Sequence, residues 1–171
     1  VGADKLETIA IAEKINTMGG IKAAALICPE NVSEGEDQEL TTQEKVKIRD
    51  FFKKQIEPKW GQNYEGYADW IKDNLNAGED LDIVVVKDML LTGFDAPPLA
   101  VLYIDRPLKD HTLLQAIARV NRIHQGKEFG LIVDYYGIFK ALNIALDMYN
   151  SDDANLDKYN LENLTESISA V

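Results

Sequence analysis

Four short apolar runs separated by amphipathic segments constrain the fold of this chain more than any other feature. The runs occupy residues 21–28, 82–86, 100–104 and 129–133. Apolar runs without regular polar alternation are typical of strands buried on both faces, and helical patterns between such strands are typical of crossover helices. The sequence therefore predicts an α/β fold with a mostly parallel sheet and helices on both of its faces.

The predicted helices have recognisable boundary residues. Asp4, with Glu7 three positions later, has the spacing of a capping box. Thr41 or Thr42 caps the next helix, and Pro58 is expected to end it. Further helical patterns cover residues 64–76, 111–123 and 138–149.

Two interpretations are open for the aromatic residues between positions 60 and 70. Trp60, Tyr64, Tyr67 and Trp70 could stack on nucleic-acid bases. Their amphipathic spacing favours packing in the core instead.

Ligand chemistry in a parallel sheet is expected at the carboxyl ends of the strands. Three segments follow strand ends here: the loop after Val86, the turn after Ile104 and the residues from Asp134 onward. All three lie in the second half of the chain, and the chemistry is predicted there.

Charge is distributed unevenly along the 171 residues. The formal net charge is −11, which excludes a globally basic protein that coats DNA or RNA. Residues 83–140, however, contain seven bases and six acids, so nearly all of the acidity lies elsewhere. A phosphate-bearing partner is therefore not excluded for the half that is expected to carry the site.

No metal site is predicted. The single cysteine, Cys28, excludes a disulfide framework and a multi-cysteine metal site, and suits a reducing cytoplasm. His111 and His124 lack the carboxylate or cysteine partners that a metal centre needs.

The segment QAIARVNR at 115–122 places three polar side chains at helical spacing. Gln115, Arg119 and Arg122 are four and three positions apart, so a continuous helix presents them on one face. Arginine suits the binding of polyphosphate because its planar guanidinium stays charged and pairs bidentately with phosphate oxygens. The alternative interpretation is a pair of surface arginines in salt bridges.

The loop LTGFDAP at 91–97 has a complementary composition. Thr92 offers a hydroxyl, Gly93 permits a close approach to the backbone, and Asp95 can accept from a sugar hydroxyl or an arginine. An ordinary turn would use the same residue types, and that interpretation remains open at this point.

Together, in this order, the two segments resemble one protein family. DMLLTGFDAP at 88–97 is similar to motif V of superfamily 2 helicases, and QAIARVNR is similar to motif VI. The sequence of these motifs resembles the motor subunit of type I restriction enzymes more narrowly. Two further segments share this resemblance: LYIDRPLKDHTLLQAIARVNR and GKEFGLIVDYYGI. The resemblance is dense over residues 83–149, and Ala118 departs from a pattern in which many relatives have glycine.

The resemblance implies a three-layer RecA-like domain, the second of two in an ATP-driven DNA translocase. It implies that Arg119 and Arg122 are arginine fingers, that Gln115, Gly93 and Asp95 contact nucleotide, and that Thr92 and Gly93 contact DNA. Residues 1–149 would form this helicase C-terminal domain, and 150–171 would begin a helical segment or linker.

The resemblance also implies cofactors and partners. ATP and Mg²⁺ would be held mainly by the first RecA-like domain, because these 171 residues contain no Walker A and no D-E-x-H segment. The implied partners are double-stranded DNA, bound through its backbone, the first RecA-like and nuclease domains of the same subunit, and the methyltransferase and specificity subunits. This chain alone is expected to be inactive.

Two alternatives remain at this level. One is another superfamily 2 DNA helicase. The other is a non-catalytic, flavodoxin-like binding module in which Asp88, Asp95 and Asp134 support the fold.

Overall fold

Strands and helices alternate along the chain, as the apolar runs predict. The structure, a computed structural model, describes residues 1–29, 40–89, 96–108 and 110–138. The strands are β1 (Ala23–Leu26), β2 (Ile83–Val86), β3 (Val101–Ile104) and β4 (Leu131–Asp134). The helices are α1 (Lys5–Met18), α2 (Thr42–Phe51), α3 (Glu57–Trp60), α4 (Tyr64–Ala77) and α5 (Asp110–Val120), with a π-helical turn (Phe52–Ile56) between α2 and α3.

The described strands form two parallel pairs. β1 pairs with β2, and β3 pairs with β4. The predicted α/β class with parallel strands is therefore confirmed. The two pairs are separate two-stranded sheets rather than the single sheet that the sequence predicts. The three-layer RecA-like arrangement stays a prediction.

Side-chain caps begin two of the helices where the sequence predicts them. The Asp4 carboxylate accepts a hydrogen bond from the Glu7 amide at 2.8 Å. At α2 it is Thr41 that caps, in a reciprocal capping box with Glu44. These local bonds satisfy amides that have no partner within the helix.

Pro58 does not end a helix, and the sequence prediction was wrong on this point. The chain stays helical through Pro58 to Trp60, because a π-helical turn precedes α3 and Pro58 lies in the first turn of α3. A proline is tolerated at a helix start, where its missing N–H would have no intrahelical acceptor. The wider π turn changes the hydrogen-bond register just before it.

The aromatic residues of α3 and α4 pack into the larger of two hydrophobic clusters. The rings of Trp60 and Tyr67 lie 4.9 Å apart, and those of Phe52 and Tyr64 also 4.9 Å apart. Tyr67 is buried, and its hydroxyl donates to the Ala25 carbonyl oxygen at 3.0 Å. Core packing is therefore confirmed for these aromatic residues.

A second cluster joins α5 to β3. Ile104, Leu113 and Ala116 are fully buried in it. None of the helices in the described ranges has the length and apolar character that crossing a membrane requires. The predicted helix at 138–149 and the predicted domain boundary at 149/150 lie outside the described residues, apart from Ile138.

Candidate functional site at the carboxyl ends of the strands

Within each strand pair, the two strands end at the same edge, as the sequence predicts. Leu26 of β1 lies opposite Val86 of β2, and Ile104 of β3 lies opposite Asp134 of β4. Because the strands within each pair are parallel and in register, their following loops start at the same level. The polar residues after these strand ends form the candidate site.

A group of ionic side chains joins the exit of β2 to the exit of β3. The Nζ of buried Lys87 lies 3.3 Å from an Asp88 carboxylate oxygen. Arg106 donates to the same carboxylate and to the Lys87 carbonyl oxygen, the latter at 3.1 Å. The Asp88 carboxylate is therefore held between two cations, at the start of the loop that contains Thr92, Gly93 and Asp95.

Asp134 bonds to backbone amides, whereas Asp88 bonds to cationic side chains. Its carboxylate accepts hydrogen bonds from the amides of Tyr136 and Gly137, at 2.9 and 2.8 Å, and from that of Ile138. A carboxylate engaged by three successive amides stabilises the turn after β4. Asp134 is thus a structural residue at the edge of the site.

The helix that carries the predicted arginine fingers ends earlier than the sequence predicts, at Val120 instead of residue 123. α5 ends at Val120, so Gln115 and Arg119 are one helical turn apart, whereas Arg122 lies two residues beyond the helix. The single helical face predicted for all three residues is therefore wrong for Arg122. Gln115 is exposed, and Arg119 and Arg122 are both half-buried.

A close contact with the start of β4 coincides with this early helix end. A Cβ atom on Gly130 would lie 2.4 Å from the Val120 carbonyl oxygen. Only glycine lets the chain pass so near the last turn of α5. This packing lies at the point where the chain leaves the helix, two residues before Arg122.

Lys127 connects the arginine-bearing segment to the loop after β2. Its ammonium donates to the carbonyl oxygens of Pro97 and Leu99, at 2.7 and 2.9 Å. Partial burial, and secondly the positive charge of Arg122, lower the pKa of Lys127. No sequence motif marks Lys127, because the backbone carbonyls that it bonds lie about thirty positions earlier in the chain.

The loop 90–95 has described, anchored residues on both sides. Asp88, before it, is held by Arg106, and Pro97, after it, is held by Lys127. The predicted residues Thr92, Gly93 and Asp95 themselves lie outside the described residues. The segment resembling motif V is thus held at its first residue by Arg106 and at its last residue by Lys127, which lies five residues after the segment resembling motif VI.

These features define an α/β domain whose polar site lies at the carboxyl ends of parallel strands, where a loop and a helix exit are joined. Comparison with known proteins gives this domain a family. The sequence model of type I restriction enzyme subunit R domain 3 matches residues 6–137. The chain belongs to this family.

Individual relatives agree with the family match. The chain is 44% identical over 108 residues to the type I restriction enzyme MjaVIIP endonuclease subunit of Methanocaldococcus jannaschii, covering 63% of the chain and 10% of that protein. It is 50% identical over 76 residues to the HindI endonuclease subunit of Haemophilus influenzae, covering 43% of the chain and 7% of that protein. A third relative, the MjaVIIIP subunit of M. jannaschii, is 42% identical over 123 residues, covering 70% of the chain and 12% of the relative. The matched part of the chain thus spans about a tenth of the length of these relatives.

Proposed function

We propose that this chain is the second RecA-like motor domain of an ATP-dependent DNA translocase in a type I restriction endonuclease. The observation that carries the proposal is the contact of Lys127, which follows the segment resembling motif VI by five residues, with Pro97, the last residue of the segment resembling motif V, and with Leu99. Membership of the restriction subunit family supports it. A motor domain requires such a link because nucleotide and DNA must act on one rigid unit.

The arginines supply the chemistry toward ATP in this proposal. The guanidinium groups of Arg119 and Arg122 donate hydrogen bonds to the γ-phosphate and stabilise the charge that develops there during transfer. Gln115, Gly93 and Asp95 contact the nucleotide, while the first motor domain provides most of the binding site for ATP and Mg²⁺.

The electrostatics around Arg122 fit an anionic ligand. The positive charge of Arg122 contributes to the lowered pKa of Lys127, so two cations lie within each other's field. A phosphate group nearby would reduce this repulsion.

The DNA contact is assigned to Thr92 and Gly93. A hydroxyl and an accessible backbone amide can bind phosphate oxygens, which carry no sequence information. The domain would therefore hold the DNA backbone, and recognition of bases would belong to the specificity subunit. The methyltransferase subunit and the nuclease domain of the same cytoplasmic complex complete the set of proposed partners.

Substitution of each arginine in the full-length subunit tests the proposal. Arg119→Ala and Arg122→Ala are each expected to lower DNA-dependent ATP hydrolysis by about 10³-fold or more, while leaving ATP binding nearly unchanged. Arg49→Ala, which removes an exposed arginine of α2, is the matched control and should retain wild-type turnover. Wild-type hydrolysis by both test variants would refute the arginine-finger assignment.

On this proposal, the chain is inactive without the rest of the subunit. Its arginines act on ATP that the first motor domain binds, so the chain alone should show no ATP hydrolysis with or without DNA. Hydrolysis by the chain alone would contradict the division of the site between two domains.

A further inference from the structure

One large apolar side chain next to the arginine-bearing helix is fully exposed. Ile123 is 99% exposed, the highest value among the large apolar side chains of the described ranges, and Met18 follows at 76%. Single exposed apolar residues are common on protein surfaces. The exposure of Ile123 therefore gains meaning only from how the neighbouring backbone holds it and from what lies beside it.

The backbone is held in place on the amino-terminal side of Ile123. The amide of Asn121 donates to the Ile117 carbonyl oxygen at 3.0 Å, so helical hydrogen bonding extends one residue beyond α5. Val120 is buried, and Gly130 at the start of β4 packs closely against its carbonyl oxygen. The chain is therefore anchored two residues before Ile123.

The backbone is also held on the carboxyl-terminal side. The Lys127 amide donates to the His124 carbonyl oxygen at 3.0 Å, and the two residues form an antiparallel bridge. Gly126 has a φ of 81°, which the third position of a type II turn requires. The Lys127 ammonium fixes this turn to the carbonyl oxygens of Pro97 and Leu99. Ile123 thus lies on a short segment that is anchored at both ends.

Arg122 directly precedes Ile123, and consecutive Cα atoms are about 3.8 Å apart. The proposed function, on which this inference rests, brings the Arg122 guanidinium to the γ-phosphate of ATP bound by the first motor domain. The surface of that domain must then approach Ile123 as well. An aliphatic side chain offers no hydrogen bond to ATP, so the partner that suits Ile123 there is apolar protein surface.

We propose that Ile123 docks into an apolar pocket of the first motor domain when ATP is bound, and thereby positions Arg122. Ile123 is a positioning residue in this proposal, because it acts through the arginine beside it. Its burial stabilises the closed arrangement of the two domains, in which Arg122 reaches the phosphate. The anchored backbone on both sides of Ile123 means that little conformational freedom is lost when it docks.

The size of the expected effect follows from the area that docking would bury. Removing one isoleucine side chain from water changes an equilibrium constant by about tenfold or more. DNA is a poorer partner for this side chain than protein, because the groups that DNA presents along its backbone are phosphates, which bind cations and hydrogen-bond donors.

Kinetics of the full-length subunit test the positioning role. Ile123→Ser should lower kcat of DNA-dependent ATP hydrolysis by about tenfold, and should leave the Kd for DNA and the melting temperature unchanged. Ile123→Leu, which keeps an apolar side chain of similar volume, should stay within about twofold of the parent. Wild-type kcat for Ile123→Ser, or an equal loss for Ile123→Leu, would overturn the proposal.

Met18→Ser is the matched control. Met18 is also an exposed apolar residue, but it lies at the end of α1 near the amino end of β1, where the Asn16 side chain bonds to the Ala23 backbone. Because the proposed site is at the carboxyl ends of the strands, this variant should retain wild-type kcat. A tenfold loss for Met18→Ser would mean that the kinetic effect is not specific to Ile123, and would overturn the proposal.

Photo-cross-linking identifies the partner of Ile123. In the full-length subunit with DNA, Ile123→p-benzoylphenylalanine should cross-link to a peptide of the first motor domain, more strongly with a non-hydrolysable ATP analogue than without nucleotide. The same probe at Met18 should give no such product. A cross-link from position 123 to DNA or to residues 139–171 of this chain, or no cross-link to the first motor domain, would overturn the proposal. This readout does not depend on ATP hydrolysis, so the docking contact can fail while the arginine variants still support the proposed motor function.

Discussion

The Nζ of Lys127 lies 2.7 Å from the carbonyl oxygen of Pro97, thirty positions earlier in the sequence. Together with the bond to Leu99, this contact holds the exit of the 90–95 loop against the turn after α5. One side chain therefore ties the residues that follow α5 to the residues that follow the 90–95 loop.

Replacing Lys127 by methionine should weaken both the fold and the proposed motor. Lys127→Met keeps the aliphatic stem but leaves the two carbonyls without their charged donor, which should cost about 1.5–3 kcal/mol in urea unfolding. In the full-length subunit, DNA-dependent ATP hydrolysis should fall although both arginines are intact. Lys45→Met, which removes an exposed lysine of α2, is the control and should change neither measurement. Wild-type stability and turnover for Lys127→Met would contradict the anchoring role.

Removing the carboxylate of Asp88 should be among the most destabilising single changes in this half of the chain. Asp88→Ala leaves buried Lys87 and half-buried Arg106 without the anion between them. Breaking a buried pair by removing one partner costs about 3–5 kcal/mol, and urea unfolding should show a loss approaching this range. Asp69→Ala, at an exposed position of α4, should cost under about 0.5 kcal/mol. An equally small loss for Asp88→Ala would show that these ionic contacts do not hold the strand exits together.

A methyl group at position 130 should disturb the end of α5. The added Cβ of Gly130→Ala would overlap the Val120 carbonyl oxygen, so the helix end or the start of β4 must shift. Overpacking of this kind costs about 1–3 kcal/mol, measurable as a lower urea midpoint. Glu128→Ala alters an exposed side chain in the same segment and should be nearly neutral. If Gly130→Ala were as stable as the parent, the close packing of β4 on α5 would be refuted.

Tyr67 should make the free energy of unfolding depend on pH in the alkaline range. Burial raises the pKa of Tyr67 to about 12, whereas an unfolded tyrosine ionises near 10. The folded state therefore retains a proton that the unfolded state releases, and the free energy of unfolding should fall above pH 10, by at most about 1.4 kcal/mol per pH unit.

The Tyr67→Phe variant isolates this contribution. At neutral pH it should be less stable by about 1 kcal/mol, because the Ala25 carbonyl oxygen loses the hydroxyl donor. Between pH 10 and 12 the stability difference should shrink and then reverse, since phenylalanine has no proton to lose. A constant difference across that range, measured by urea unfolding at each pH, would contradict the burial of an un-ionised hydroxyl.

Much of the local structure follows from short-range patterns. Asp4 and Thr41 cap helices because their partners lie three residues away, within reach of any chain that starts a helix there. Pro58 shows the limit of such rules, since a π-helical turn just before it lets the helical course continue.

The candidate site was predictable to a smaller extent. The arginines and the edge of the sheet were expected from spacing and from the order of strands and helices. The position of Arg122 beyond the helix was not, because the helix ends where Gly130 of a later segment packs against it. The spacing of residues 115–122 does not reveal that contact, because Gly130 lies outside this segment.

The sequence by itself determined the α/β class, the strands, the helix caps and the family, because each depends on residues close together in the chain or on matching order. Only the tertiary structure decided the partners: Arg106 with Asp88, Lys127 with Pro97, and Val1 with Tyr103. These contacts join residues up to 102 positions apart. Their geometry depends on how the strands align in space, which no local pattern encodes.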